Sequence, residues 1–565
     1  MNPVEYPSLW NVPANPVFRR HAVSALRPLR LVVWILITQV MAGFFWVGTV
    51  LLYLQTRSPV GQMIDFGSPE FRRMLADHGE NASLLGWLSV LVIQGLLVVV
   101  KGTFSVATGV AREANEGMIE AERLSPLPTG HKVAGQLLGL PLLEVLLGVL
   151  LLPWAILSAW MGGLSAVMMG KVYLIFATSA VFHHAVGLMA GTLIRQKILA
   201  GTLSQILILL LHFVLPTFGG IGIGLISHLG AEAAMLHEVV KEMPHLVETG
   251  GLLTQEPARA GVDFYQWEVA LSGYHWVITL SALAALLLML FRRWEDPESQ
   301  WLGKAGTSLL AVWIMVLTCG ELLPPFWRGE GLASAAAIFD IRWGNGYLFA
   351  GHSKTGAAIW IAGFGLALGV SNLLLTGALV PSPVARHRIT QQGGGRWWSD
   401  GRSAVPWVIG ISLLAAAAWA WVVSALLGRT EGLQGMGLEM SDGVGFAGAI
   451  MVPALALHAL ALRKGWKLAL AGVFACWMVP PMVAGIGLLA GADAAGWPMW
   501  VAGLSGPMLP AYAALGMVAE GSFGVCAPVL LASLLAHGWV GIVLLARNST
   551  KPHGSAANPG RRIRL

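Results

Sequence analysis

Glu113, Glu116, Glu120 and Glu122 crowd one short stretch whose basic neighbours are Arg112 and Arg123. The first three recur at i, i+3 and i+7, the spacing of one helix face. Ser125-Pro126-Leu127-Pro128-Thr129-Gly130 then ends that helix. Such an acidic helix is either a solvated amphipathic loop or a docking face for a soluble partner. Glu144 sits in the apolar run Pro141-Leu142-Leu143-Glu144-Val145. A carboxyl inside a membrane span costs about 2.5–3.5 kcal/mol on insertion scales, so Glu144 is a candidate for a substrate path, against a structural pairing. His183 and His184 fall midway along one apolar stretch and His212 midway along the next. Facing imidazoles at one depth are what a b-type haem needs; the alternative is hydrogen bonding between helices. His458 stands alone and reads as structural.

Other patterns stop short of a motif. His237-Glu238 opens like a zinc-protease signature, but position 241 is Lys, so the second histidine is missing. The cysteines Cys319, Cys476 and Cys526 form no CxxC pair, which argues against a disulfide framework or a thiolate metal site. Gly219 to Gly224 lies in an apolar run with no strand before it, and reads as close helix packing. Asn81-Ala82-Ser83 matches a glycosylation sequon by pattern only. There is no GxxxxGK[ST] phosphate loop; Gly303-Lys304-Ala305 comes nearest and lacks the hydroxyl residue for Mg²⁺.

The elements that must hold these groups are read from composition. The chain has 565 residues, 56% hydrophobic and only 11% charged, against roughly 25% charged in soluble domains. That excludes a soluble globular domain, a disordered chain and a nucleic-acid-binding module. At roughly 20 apolar residues per crossing there is room for about a dozen helices. Apolar segments fall near 31–54, 83–110, 133–160, 171–193, 199–228, 267–291, 305–323, 355–380, 405–427, 443–462, 467–490 and 524–546. The first follows a polar lead with Arg19, Arg20, Arg27 and Arg30, and reads as a first span, not a cleavable signal. The fold class expected is therefore an all-α polytopic membrane protein of about 12 transmembrane helices.

Charge sets the orientation. With the N-terminus in the cytoplasm, most of the 35 basic residues fall inside, among them Lys101, Arg112, Arg195, Arg292, Arg293, Arg386, Arg463 and the tail arginines. Asp65, Glu70, Asp77 and Glu80 fall in an outer loop. This obeys the positive-inside rule. A further apolar segment, 497–518, carries Pro498, Pro507 and Pro510. Crossing there would put the basic tail outside, so a re-entrant segment before the last span is expected. The expected location is the cytoplasmic (inner) membrane, with both termini cytoplasmic. The halves 1–298 and 299–565 then share a six-span layout, with a natural cut near Trp294-Glu295-Asp296-Pro297.

One family resemblance emerges. Glu113-x-x-x-Gly117-x-Ile119-Glu120, then Ser125-Pro126-Leu127, then Gly135, resembles the cytoplasmic coupling segment (112–130) of type-2 ABC exporter permeases. Asn15-Pro16-Val17-Phe18-Arg19-Arg20 and the residues to Pro28 resemble the elbow helix before that family's first span. The sequence departs from the family pattern at Met118, Glu122, Arg123 and Gln136. The likeness covers the first half; the second matches in topology only, and its loop from Pro381 to Val405 lacks the pattern.

The resemblance implies a permease subunit and no enzyme: no cofactor in this chain, and ATP on a partner. Cytoplasmic ATPase subunits would dock on the coupling segment, and membrane lipids and further membrane subunits are the other expected partners. The apolar lining points to a hydrophobic or lipid-like substrate. The alternative is an integral subunit of a redox or structural membrane complex, binding haem or pigment through His183, His184 and His212.

Overall fold

The computed structural model describes residues 11–57, 68–214, 225, 228–242, 261–265, 267–322, 342–343, 346–347, 354–391, 398–427, 440–464, 477, 479–489, 497–517 and 526–549. The chain forms two compact units. One comprises Met1–Phe218, Leu225–Asp263 and Trp267–Pro297; the other comprises Gly219–Gly224, Phe264–Gln266 and Glu298–Leu565. Among the described residues nine helices are long and apolar enough to cross a membrane, and Lys197–His212 and Pro528–Val543 are shorter apolar helices. The protein is an all-α polytopic membrane protein; its only strands among the described residues are four of two to four residues each.

In the first unit, α1 (Pro16–Ala25) precedes the long apolar α2 (Pro28–Arg57). Asn15 caps α1, accepting from Val17 N and Phe18 N, with Pro16 in the first turn. Then come α3 (Pro69–Gln94), a π-helical stretch Gly95–Lys101, and α4 (Gly102–Asn115). The sequence suggests a span from 83 with a loop before it. The structure starts the helix at Pro69, capped by the Ser68 hydroxyl, and Arg72, Arg73, Asp77 and Glu80 are exposed on its surface. Charge spread over a helix that outruns the bilayer resembles a loop in a hydropathy reading.

After α5 (Met118–Leu124) and α6 (Thr129–Gly139), α7 (Leu142–Leu150) and α8 (Leu152–Met161) form one apolar stretch. The third span thus begins at Leu142 instead of 133. Pro141 cannot continue the α6 hydrogen-bond ladder. Next, α9 (Ala166–Leu193) packs on α4, and α10 (Lys197–Leu209) runs into a second π-helical stretch, Leu210–Val214. The α4–α9 approach depends on missing side chains. A Cβ at Gly191 would lie 2.6 Å from the Ala107 carbonyl oxygen, and one at Gly187 2.7 Å from that of Thr103. This is the small-residue packing expected where apolar lipid supplies no hydrophobic drive between helices.

The second unit is centred on Trp419 and Phe446, stacked at 3.7 Å between ring centroids. Asn372 Nδ2 donates to Ser412 Oγ at 3.0 Å in the same interior. The proline-rich segment is not one helix: it divides into Trp497–Ala502, Gly506–Met508 and Leu509–Met517. Ser505, at the break, is buried and donates to the Trp477 carbonyl at 2.7 Å. Residue 518, most of 324–354, and 467–476 lie outside the described residues.

Candidate functional site

The acidic stretch does not form a single helix. α4 ends at Asn115, and Gly117 adopts a left-handed φ of +74° before α5 begins. Glycine takes that conformation without the Cβ penalty. The i, i+3, i+7 face therefore splits, and its members separate. Glu113 is only 2% exposed and turns inward, whereas Glu116 and Glu120 stay in the open. Glu122, not singled out as a site residue by the sequence pattern, is 8% exposed.

Glu113 and Glu122 are joined by residues from two other elements. Arg20, on α1, donates from Nη2 to Glu113 Oε2 at 2.9 Å and to Glu122 Oε1 at 2.8 Å. Gln136, on α6, donates from Nε2 to Glu113 Oε2 at 2.6 Å and to Glu122 Oε1 at 3.0 Å. His21 Nε2 stands 3.6 Å from Glu113 Oε1. Desolvation pushes the Glu122 carboxyl above its ordinary value, with Arg20 and Gln136 opposing. Burial also pushes His21 below its ordinary value, opposed by Glu113.

The clamp needs α1 to lie close on α6. Asn15 Nδ2 donates to the His131 carbonyl at 2.7 Å. A Cβ at Gly135 would lie 2.6 Å from Val17 Cβ, and one at Gly139 3.0 Å from His21 Cβ. Gly135, near the start of the apolar segment 133–160, thus seats α1. α5 is tied on its other side by Arg123, which donates from Nε to the Trp294 carbonyl at 3.2 Å and from Nη2 to that of Arg293 at 3.3 Å. Those carbonyls belong to the last turn of helix Leu271–Glu295, where a cation is also favoured by the helix dipole. Lys132 Nζ donates to the Ser125 carbonyl at 3.0 Å, and Ser125 Oγ to that of Glu122 at 2.7 Å.

What stays open is a small tip. Glu116, Gly117, Glu120, Leu124 and Pro126 are exposed, Leu124 to 88%, and Leu127 and Ser125 are half-buried behind them. Residues missed by sequence reasoning are Arg20, His21, Glu122 and Gln136. A signal existed: Glu122 and Gln136 are positions where the chain departs from the family pattern.

Deeper in the unit, Glu144 is 3% exposed and paired. Lys101 Nζ donates to its Oε1 at 2.7 Å and Ser105 Oγ at 2.7 Å. Lys101, counted among the inner basic residues within the apolar segment 83–110, is the last residue of the π-helical stretch within the helical run Phe71–Asn115. π-Turns recur at functional sites because they leave carbonyls without their usual partner. Here His184 Nε2 donates to the Val98 carbonyl at 2.8 Å. Gln94, just before the π-turn, donates to the Gly148 carbonyl at 2.9 Å and accepts from Tyr173 at 2.8 Å.

His183 and His212 do meet, as stacked rings 4.9 Å apart and 19° from parallel. His183 Nδ1 donates to the Ser179 carbonyl at 2.6 Å, and His212 Nδ1 pairs with Glu232. Axial haem ligands must aim ring nitrogens at one iron from opposite faces of a macrocycle. Rings stacked face to face leave no room for one, and the Nε2 of His184 is already engaged. As placed, these histidines do not form an opposed pair of axial haem ligands. Glu238 of the His237-Glu238 pair accepts from Lys171 at 3.1 Å and Ser272 at 2.6 Å.

Compared with family models, curated proteins and solved structures, the chain finds no match.

Proposed function

We propose that the chain is the membrane-spanning permease subunit of an ABC-type exporter, moving a hydrophobic or lipid-like substrate with energy from separate cytoplasmic ATPase subunits. The observation that carries this reading is the braced tip at 112–130. Glu116, Glu120, Leu124 and Pro126 are open, while Arg20, Gln136 and Arg123 fasten the same short helix to the elbow helix, to α6 and to helix Leu271–Glu295. A partner gripping the tip would therefore move several membrane elements together. That is the mechanical requirement for turning ATP-driven closure into helix motion. An exposed leucine that shares the tip with the exposed Glu116 and Glu120 suits a partner surface with an apolar pocket and a basic rim.

In this reading the chain crosses twelve times, both termini are cytoplasmic, and 497–518 enters and returns on the outer side. Its division into Trp497–Ala502, Gly506–Met508 and Leu509–Met517 supports that path, since non-helical backbone at membrane depth survives only inside protein. A reporter fused at Ser555 should read as cytoplasmic. Purification of the chain from its own cells should bring with it a subunit bearing a nucleotide-binding fold, whose ATP hydrolysis changes on release. Purification without such a subunit, from membranes that contain one, would contradict the proposal.

A further inference from the structure

We infer that Lys101, set between Glu144 and Trp34, is the contact for the phosphate of an anionic lipid. An ammonium has three donors. One goes to Glu144 at 2.7 Å. The Trp34 ring lies 5.3 Å from Nζ and offers only its π face. The other two N–H groups make no hydrogen bond to any described residue.

The two charges of the pair are not equally accessible. The Glu144 side chain is 4% exposed and lies behind the lysine, whose side chain is 40% exposed. A group approaching from outside meets the cation first, although the pair is neutral overall. Ser105 also holds the carboxylate in place. A phosphate can therefore take the free donors without displacing Glu144.

The depth suits a headgroup. Trp34 is six residues past Pro28, where α2 starts, or about 9 Å along the axis at 1.5 Å per residue. Tryptophan favours that interfacial level. Glu144 lies in the first turn of α7. One turn beyond Trp34, Ile37 is 47% exposed, and Val33 beside it 43%, which supplies apolar surface for an acyl chain. Binding stands independently of the permease reading; that the bound lipid is the cargo rests on it.

The test is native mass spectrometry of the full chain in detergent, titrated with phosphatidylglycerol or phosphatidylcholine. Wild type should bind phosphatidylglycerol more tightly by up to about five-fold, the worth of one lysine near anionic headgroups, less what Glu144 offsets. Lys101→Gln/Glu144→Gln removes both charges together and should abolish that preference, while Lys101→Arg keeps it. Trp34→Leu leaves the ion pair intact and should weaken binding by about two- to five-fold. An undiminished preference in the double variant, or undiminished phosphatidylglycerol binding by Trp34→Leu should the double variant not fold, overturns the inference. Displacement of the lipid by millimolar inorganic phosphate would make a free anion the ligand and overturn the lipid assignment. If lipid binding holds while no ATPase co-purifies, the permease reading fails and this one stands.

Discussion

Arg20 and Glu113, 93 residues apart in sequence, meet at 2.9 Å in the first unit, the carboxylate buried and the guanidinium half-buried. The contact joins a helix that precedes the first span to the end of α4. The same guanidinium nitrogen also reaches Glu122 at 2.8 Å, so one cation serves two buried carboxylates and Gln136 satisfies what remains. The elbow helix and the exposed tip are thereby parts of one rigid assembly.

Arg20→Ala should release the elbow helix. Removing one partner of a fully buried pair costs about 3–5 kcal/mol, and because Arg20 keeps 36% of its side chain exposed the expected loss is nearer about 2 kcal/mol. Hydrogen exchange across Pro16–Ala25 should quicken, with little change in α9. Arg20→Lys should recover only part, since a point charge reaches both carboxylates less well than a planar fork.

Two groups in the clamp give opposite pH slopes. The folded value of Glu122 is raised, so its contribution is complete below the ordinary carboxylate range and is lost as pH rises through the raised value. The folded value of His21 is lowered, so its contribution is complete above about 6.5 and is lost as pH falls through the lowered value. Compared with wild type, Glu122→Gln should make elbow protection increase more steeply from acid to neutral pH. His21→Asn should shift the slope the other way. Hydrogen exchange of α1 at several pH values checks both signs.

Gly135→Ala places a methyl 2.6 Å from Val17 Cβ. Neither α1 nor α6 can yield locally without opening the clamp, so overpacking should cost about 1–3 kcal/mol. Faster exchange in α1 at unchanged total helix content is the expected result.

Much of this was legible in the residues, and the failures have physical causes. Apolar runs are local signals, so a membrane-embedded all-helical chain and the breaks at the prolines of 497–517 could be read directly, whereas the starts of the second and third spans could not. Helix continuity through Glu116 and Gly117 could not, because the left-handed turn depends on α5 being tied to α6 and to helix Leu271–Glu295. The pairing of Glu144 with Lys101 was hidden for a similar reason. The π-turn rotates Lys101 by an amount that a regular 3.6-residue period does not anticipate. Glu122 and Gln136 looked like departures from the pattern the segment resembles because what joins them is distant in sequence: Glu122 accepts from Arg20, 102 residues earlier, and Gln136 donates to Glu113 and Glu122.

Glu144→Gln should insert and fold. The amide can still accept from Ser105, the buried charge disappears, and Lys101 is exposed enough to turn toward the headgroups, so stability should stay within about 1 kcal/mol of wild type. Transport in reconstituted vesicles with the ATPase should change. Unaltered transport would reduce Glu144 to a structural partner of Lys101.

The central claim is that the open tip docks an ATPase, and Glu116→Lys/Glu120→Lys tests it most directly. Both side chains are exposed and outside the clamp, Glu120 standing 3.9 Å from Arg123 as a part-exposed i,i+3 pair of little worth, so Arg20, Glu113, Glu122 and Gln136 remain in place and membrane insertion should be normal. Reversing two rim charges against a basic partner slows association and adds repulsion, costing several kcal/mol where like charges are juxtaposed. A quantitative pull-down from membranes at physiological salt should recover the double variant with its ATPase reduced to a small fraction of the wild-type amount, and raised salt should narrow the gap. Recovery of the ATPase at the wild-type level by a correctly inserted double variant would contradict the account.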